Sequence, residues 1–303
     1  MKAKAPGKVV ISGAYAVLHG APALVSAVDR YVIADTAVEP AFVTPEARAG
    51  MSPPFPDFDA SQLREHGRKL GLGSSAAILV ASVVAAEYPN LKSDSGVLNS
   101  IFHRCLKAHR EAQGGGSGID VAASVFGGTL EYQLPESGLL GPPPRVTQRT
   151  LPNLVFQLWA SDRAASTAEF LARIAGFRAQ APNRHEQLMG ALVLAAEQAR
   201  NACVAAEAEA FLSALGAQAT GLAALGAAAG IPIVIPELAE LQMLAQSEGA
   251  VVLPAGAGGG DIALFVGRAQ PSEALLQLCA ERSHRPIRVV FGAPGVHPIP
   301  STQ

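Results

Sequence analysis

Residues 69–87, KLGLGSSAAILVASVVAAE, set two glycines and a serine pair directly in front of an Ala/Val/Ile/Leu run with no polar face. A helix that is apolar all round is a buried helix. The run from 76 to 86 is interrupted by Ser82 and falls short of the roughly 20 apolar residues that cross a bilayer, so it belongs in a protein core. Gly71 and Gly73 ahead of it let an anion approach the unpaired N–H groups and partial positive charge of a helix start. Ser74 and Ser75 can cap the helix, bind phosphate oxygens or reach a magnesium ion, and Lys69 adds a positive charge. For the serines alone a cap is the commoner role. The glycines move the balance towards phosphate.

The stretch also fits a loose GxGxxA pattern through Gly71, Gly73 and Ala76. The preceding SQLREHGRK is too polar to be the first strand of a Rossmann unit, and no GxxxxGK[ST] occurs. Composition narrows the classes further. The chain has 303 residues, long enough for two domains, with 49% apolar and 16% charged residues, which excludes a disordered chain. A net charge of −2 gives no footprint for nucleic acid or an anionic membrane, so any anion is recognised locally. Cys105, Cys203 and Cys279 are far apart and lack metal-ligand spacing, which predicts reduced core thiols. The opening MKAKAPGKVVISG places Pro and Gly where a signal peptide needs an apolar core, so a cytoplasmic chain starting here is expected.

KVVIS and PALVSAVDRYVIADTAVE read as strands joined by AYAVLHGAP. The Pro-rich stretch 44–59 reads as an exposed connection and candidate lid. Helices are expected from Ala76 to Glu87 and from Val97 to Gln113, then a strand at GGTLEYQ, a long turn, and a strand at LVFQLWAS. A second section begins near 150, dividing the chain into domains 1–150 and 151–303. It holds a helix around TAEFLARIAGFRAQ, Ala-rich helices from about His185 to Gly226 forming a hairpin, and strand, glycine loop and strand in GAVVLPAGAGGGDIALFVG. PIRVVFG is expected to add one more strand.

Three glycine-rich segments, KAPGKVVISGAYAVLHG, KLGLGSSAA and AGAGGGDIALFV, together resemble in content and order the signature motifs of the GHMP kinase superfamily of small-molecule kinases. The resemblance spans nearly the whole chain, and GLGSSAA is its most specific part. It implies an α+β, two-domain GHMP kinase fold with the active site in the cleft between domains, an N-terminal ATP-binding domain, and ATP and Mg2+ as cofactors. ATP would contact Lys69, Gly71, Leu72, Gly73, Ser74, Ser75 and Ala76, with the metal on Ser75 or Ser74. AHREAQGGGSGIDVAASVFGG, residues 108–128, resembles the segment carrying the catalytic aspartate, which makes Asp120 that residue, and Lys8 matches the family lysine. A carboxylate beside an acceptor oxygen takes or orients its proton, and a nearby lysine steadies the transferring charge. Without the resemblance, Asp120 reads as a turn former and Lys8 as a solvated charge.

Within the superfamily, Lys69, the 108–128 segment and Asp261 favour the phosphomevalonate kinases, whose charged substrate needs extra cations such as Lys69, Arg110 and Arg30. WASDRAASTAEFLARI resembles the segment whose Ser166 and Thr167 lie near substrate phosphate, with a helix cap as the equal alternative. Substrate contacts implied are His19, Ser117, Gly118, Ser166, Thr167, Gly258 and Gly259. The opening segment, including His19 and Gly20, is closer to the mevalonate kinases. His109 stands where those enzymes carry a magnesium-binding glutamate, and Glu111 would face elsewhere on the helix. The expected reaction is ATP-dependent phosphorylation of 5-phosphomevalonate. Mevalonate kinase, diphosphomevalonate decarboxylase and a catalytically silent sensor are alternatives. The expected partners are the small-molecule substrates ATP and a mevalonate-type acid, with no nucleic acid or membrane, and the chain acts as a monomer or homodimer.

Overall fold

The computed structural model describes residues 1–65, 67–91, 94–135, 142–163 and 167–300. Two compact units emerge, both discontinuous in sequence. The first holds Met1–Val9, Val25–Gln148 and the chain from Val290 onward; the second holds Val10–Leu24 and Arg149–Val289. The composition shift near 150 marks only one of these passages. Residues 10–24 and the last strand are assigned by contacts that no local pattern announces.

The chain begins with β1 (Lys2–Ser12) and β2 (Ala23–Asp35), which run from one unit into the other, separated by a 3-10 turn at Ala16–His19. There follow α1 (Pro45–Gly50), β3 (Asp57–Asp59), the short hairpin β4 (Arg64–Glu65) and β5 (Arg68–Lys69), and the helices α2 (Ser74–Glu87), α3 (Ser95–Gln113) and α4 (Ile119–Phe126). β6 (Thr129–Gln133) and β7 (Arg145–Arg149) complete the run. With β12 (His297–Ile299) these strands, all but β4 and β5, form a sheet ordered β12-β1-β2-β6-β7, with β3 on β2. α2 lies at the heart of this unit. Every residue from Ala76 to Ala85 is at most 5% exposed, as a helix without a polar face requires. Each buried Leu, Ile or Val of that run stabilises the fold by about 1.5–3 kcal/mol.

The second unit contains β8 (Val155–Ser161), α5 (Thr167–Gln180), α6 (Pro182–Ala205), α7 (Ala208–Ala229), α8 (Pro236–Ser247), β9 (Val251–Pro254), β10 (Ile262–Gly267), α9 (Glu273–Glu281) and β11 (His284–Ile287). Its sheet runs β11-β8-β10-β9, antiparallel throughout. α6 and α7 form the expected Ala-rich hairpin, joined at Ala206, whose φ is 56°. α7 is long and apolar enough to cross a membrane by length and composition alone, but Phe211, Leu215 and Leu225 are fully buried within its unit.

Three local expectations are corrected. The Pro-rich 44–59 stretch holds α1, because Pro45 sits at the helix start, where its missing N–H costs nothing, and Thr44 caps Ala47 N–H at 3.2 Å. It also holds β3. The final strand of the second unit ends at Ile287; PIRVVFG continues only as an isolated bridge from Phe291 to Val28. α4 follows the GGGSG loop directly, and β7 begins at Arg145, the end of the expected long turn.

Candidate active site

In the first unit, β1 meets the loop before α2. Lys8 N–H donates to Leu72 O at 2.8 Å, and Lys8 Nζ donates to Gly71 O at 3.2 Å. The approach is close enough that a Cβ on Gly7 would lie 2.9 Å from Leu72 O. Gly73 is the pivot, with φ +78°; a Cβ there would lie 3.0 Å from Lys8 Cγ and 3.5 Å from Asp120 Cβ. Lys8 and Asp120 therefore come together around an atom that only glycine can leave out.

α4 is what carries Asp120 there. Ser124 Oγ donates to Pro6 O at 2.9 Å, tying α4 to β1. Gly118, φ +82°, starts the helix, and a Cβ on it would overlap Leu106 Cδ1 at 2.0 Å. The carbonyls of the GGGSG loop are gathered by Arg110, which donates to Gly116 O at 3.2 Å and Ser117 O at 3.1 Å, and by the Tyr132 hydroxyl, which also donates to Ser117 O. Burial pushes the Tyr132 phenol well up, so it stays protonated and a donor. Asp120 is the second residue of α4. Its Oδ1 accepts Val121 N–H at 3.0 Å, and its Oδ2 lies 3.6 Å from His109 Nε2. Its side chain is 23% exposed, while His109 is buried. Glu111 faces outward, as its helical offset predicts.

The start of α2 has Gly73 as its N-cap and no side-chain cap, which sets aside the capping role for the serines. Ser74 is buried, Ser75 half-buried and Ala76 fully buried. Leu72 is buried and Gly71, φ 71°, half-buried. Lys69 is exposed on the β4–β5 hairpin. Among the described residues no group of three or more His, Cys, Asp or Glu is placed to hold a metal. The hard oxygens on offer at this helix start are hydroxyls, which suit a magnesium ion brought mainly by a nucleotide's phosphates.

The remaining predicted substrate contacts fall in two places. Ser117 and Gly118 belong to the Asp120 loop; Ser117 Oγ accepts Ile119 N–H at 3.4 Å. His19, Thr167, Gly258 and Gly259 belong to the second unit. There the His19 ring lies 5.6 Å from that of His185, and desolvation pushes both below the usual imidazole value. Thr167 opens α5 and is exposed; Ser166 lies outside the described residues. Gly258 and Gly259 are buried on Ile233: Gly259 N–H donates to Ile233 O at 3.1 Å, and a Cβ on Gly258 would lie 2.3 Å from that oxygen. Their immediate work is to seat the loop. The hydroxyl of Tyr15, itself at φ 61°, donates to Ala257 O and ties the loop to the 3-10 turn. Sequence reasoning missed Tyr15, Tyr132 and the contact of His109 with Asp120, and it did not foresee that Arg110, offered as a cation for a substrate phosphate, also holds two loop carbonyls.

Residues 60–128, which span the glycine loop, α2, α3 and Asp120, match the family described as GHMP kinases N terminal domain. The chain is 29% identical over 261 residues to a phosphomevalonate kinase of Streptomyces sp. (strain CL190), covering 80% of this chain and 67% of that one. It is also 29% identical over 212 residues to a mevalonate kinase of Archaeoglobus fulgidus, covering 63% and 69%. In fold it is similar to the Streptococcus pneumoniae phosphomevalonate kinase in complex with phosphomevalonate and AMPPNP, with a TM-score of 0.77, 21% identity, and 96% and 99% of the two chains covered.

Proposed function

We propose that this chain, a phosphotransferase carrying a GHMP kinase N-terminal domain on a GHMP kinase fold, moves the γ-phosphoryl group of ATP onto 5-phosphomevalonate, giving the 5-diphosphate and ADP. The observation that carries the reading is the meeting of Lys8 and Asp120 across Gly73, at the uncapped start of α2. The N–H groups of Ser74, Ser75 and Ala76 suit the oxygens of a polyphosphate, and the dipole of α2 favours its charge. Asp120 orients the acceptor's phosphate and takes the proton of its monoanionic form as a phosphate oxygen bonds to the γ-phosphorus and the bond to the β-phosphate oxygen breaks. Lys8 steadies the charge in flight. Ser74 or Ser75 would help to hold a magnesium ion brought by the nucleotide, which would supply neutralisation of phosphate charge. ATP recognition by Lys69 through Ala76, and acceptor contacts by His19, Ser117, Gly118, Ser166, Thr167, Gly258 and Gly259, are parts of the same proposal, as is the assignment of residues 1–150 to ATP and 151–303 to a second domain.

One observation favours mevalonate itself as acceptor. Of the three cations held available for a substrate phosphate, Arg110 is engaged with Gly116 and Ser117 and Arg30 donates to Gln62 O, which leaves Lys69 exposed. A substrate panel decides. Protein incubated with ATP and either mevalonate, 5-phosphomevalonate or its diphosphate is expected to yield ADP and a product one phosphoryl group heavier with 5-phosphomevalonate. Such a product with mevalonate alone would reassign the acceptor. Absence of ADP with all three would reject the proposal.

A further inference from the structure

His109 and Asp120 stand on different helices, α3 and α4, with the GGGSG loop between them. His109 is 7% exposed, its Nε2 lies 3.6 Å from Asp120 Oδ2, and its Nδ1 is buried with no hydrogen-bond partner among the described residues. That pattern selects a tautomer. In the neutral ring, a proton on Nδ1 would bury a donor with nothing to accept it, at about 1–3 kcal/mol. With the proton on Nε2, only an acceptor lone pair is left unpartnered, and the donor points at the carboxylate. The 3.6 Å separation exceeds hydrogen-bond reach, and contacts of this kind tighten in substrate complexes.

Asp120 is thereby addressed from two sides. Oδ1 takes the Val121 N–H at 3.0 Å, and Oδ2 faces the ring of His109. We infer that His109 is a positioning residue for the transfer step, fixing the plane of the Asp120 carboxylate so that it meets the acceptor phosphate. The inference rests on the proposed function, in which Asp120 handles that phosphate. The inference assigns His109 no contact with nucleotide or acceptor. Its whole effect passes through Asp120.

The test is a kinetic cycle with ATP and 5-phosphomevalonate on wild type, His109→Leu, His109→Gln, Asp120→Asn and the double variant Asp120→Asn/His109→Leu. Misplacing a reacting group costs up to about 100-fold, so His109→Leu is expected to lower kcat on the order of 10- to 100-fold while KM for ATP stays within about twofold. His109→Gln, which keeps a donor of similar reach, is expected to recover most of the loss. In the Asp120→Asn background, His109→Leu is expected to cost nothing further, because no carboxylate remains there to be placed for the proton transfer. A His109→Leu loss that repeats in full in that background, a loss equally large in His109→Gln, or no loss at all would overturn the inference. Wild-type turnover by Asp120→Asn alone would instead reject the proposed function, a separate outcome. Thermal midpoints of all five proteins identify any variant that lowers the rate by unfolding, and for such a variant the His109→Gln comparison stands in.

Discussion

At the scale of single residues, the proposed chemistry turns on Gly73. Its φ of +78° lies in the left-handed region, and its missing Cβ is the space that Lys8 and Asp120 share. Gly73→Ala carries a backbone cost of about 1–2 kcal/mol from that conformation. It also pushes a methyl group to 3.0 Å from Lys8 Cγ and 3.1 Å from Lys8 Cε. We therefore expect a small fall in thermal midpoint and a much larger fall in kcat, on the order of 10- to 100-fold, as Lys8 is displaced. Steady-state kinetics and a melting curve on the same variant check the two together; unchanged kcat would show that the Lys8 position does not matter. Gly71 and Gly73 were legible in the sequence because two glycines directly ahead of an apolar helix signal a backbone that something must approach closely. His109 was legible only as a residue in an unexpected place. Its partner lies across a loop whose path no periodicity records, so the role of the ring had to come from the distance.

At the scale of elements, the long helices were read well, while α1, α4, α8 and α9 were not read at all. α2 and α3 follow directly from an apolar run and from a 3.6-residue pattern at Ile101, Phe102, Cys105 and Leu106. α4 is only eight residues long and begins from a glycine with no side-chain cap, so nothing in its sequence advertises a start. The same limit hid the packing of α5, α6 and the 3-10 turn, where His185 is buried beside Phe177 and His19. That packing has a consequence for pH. Desolvation, with Arg178 nearby, lowers the pKa of His185 and His19 below the ordinary 6.5. The unfolded chain then binds more protons than the folded one once pH falls below that value, so stability is lost as pH falls. The melting midpoint is expected to drop between about pH 7.5 and about pH 5.5, and His185→Gln, which does not titrate there, should flatten the drop. An unchanged slope in His185→Gln would show that the ring is not the source.

For the whole molecule, composition pointed to the class, a mixed α and β chain of near-neutral net charge, and the order of three glycine segments pointed to the relatives. The division into units was less visible. The final strand joins the first unit because β12 pairs with β1 across almost three hundred residues, and residues 10–24 join the second through contacts such as those of Gly13 N–H and Ser12 Oγ with Gln218. Which acid accepts the phosphoryl group was hardest to read, because one cation more or less separates the candidates and Arg110 is turned to its own loop. The central claim is that the amides opening α2 hold a nucleotide's polyphosphate with Asp120 beside the transferred group. A crystal structure of the protein with a non-hydrolysable ATP analogue tests it most directly. The expected result is phosphate oxygens within about 3 Å of the Ser74, Ser75 and Ala76 nitrogens, with Asp120 open to the γ-phosphate side. A triphosphate lodged away from the start of α2, or Asp120 turned from it, would contradict the claim.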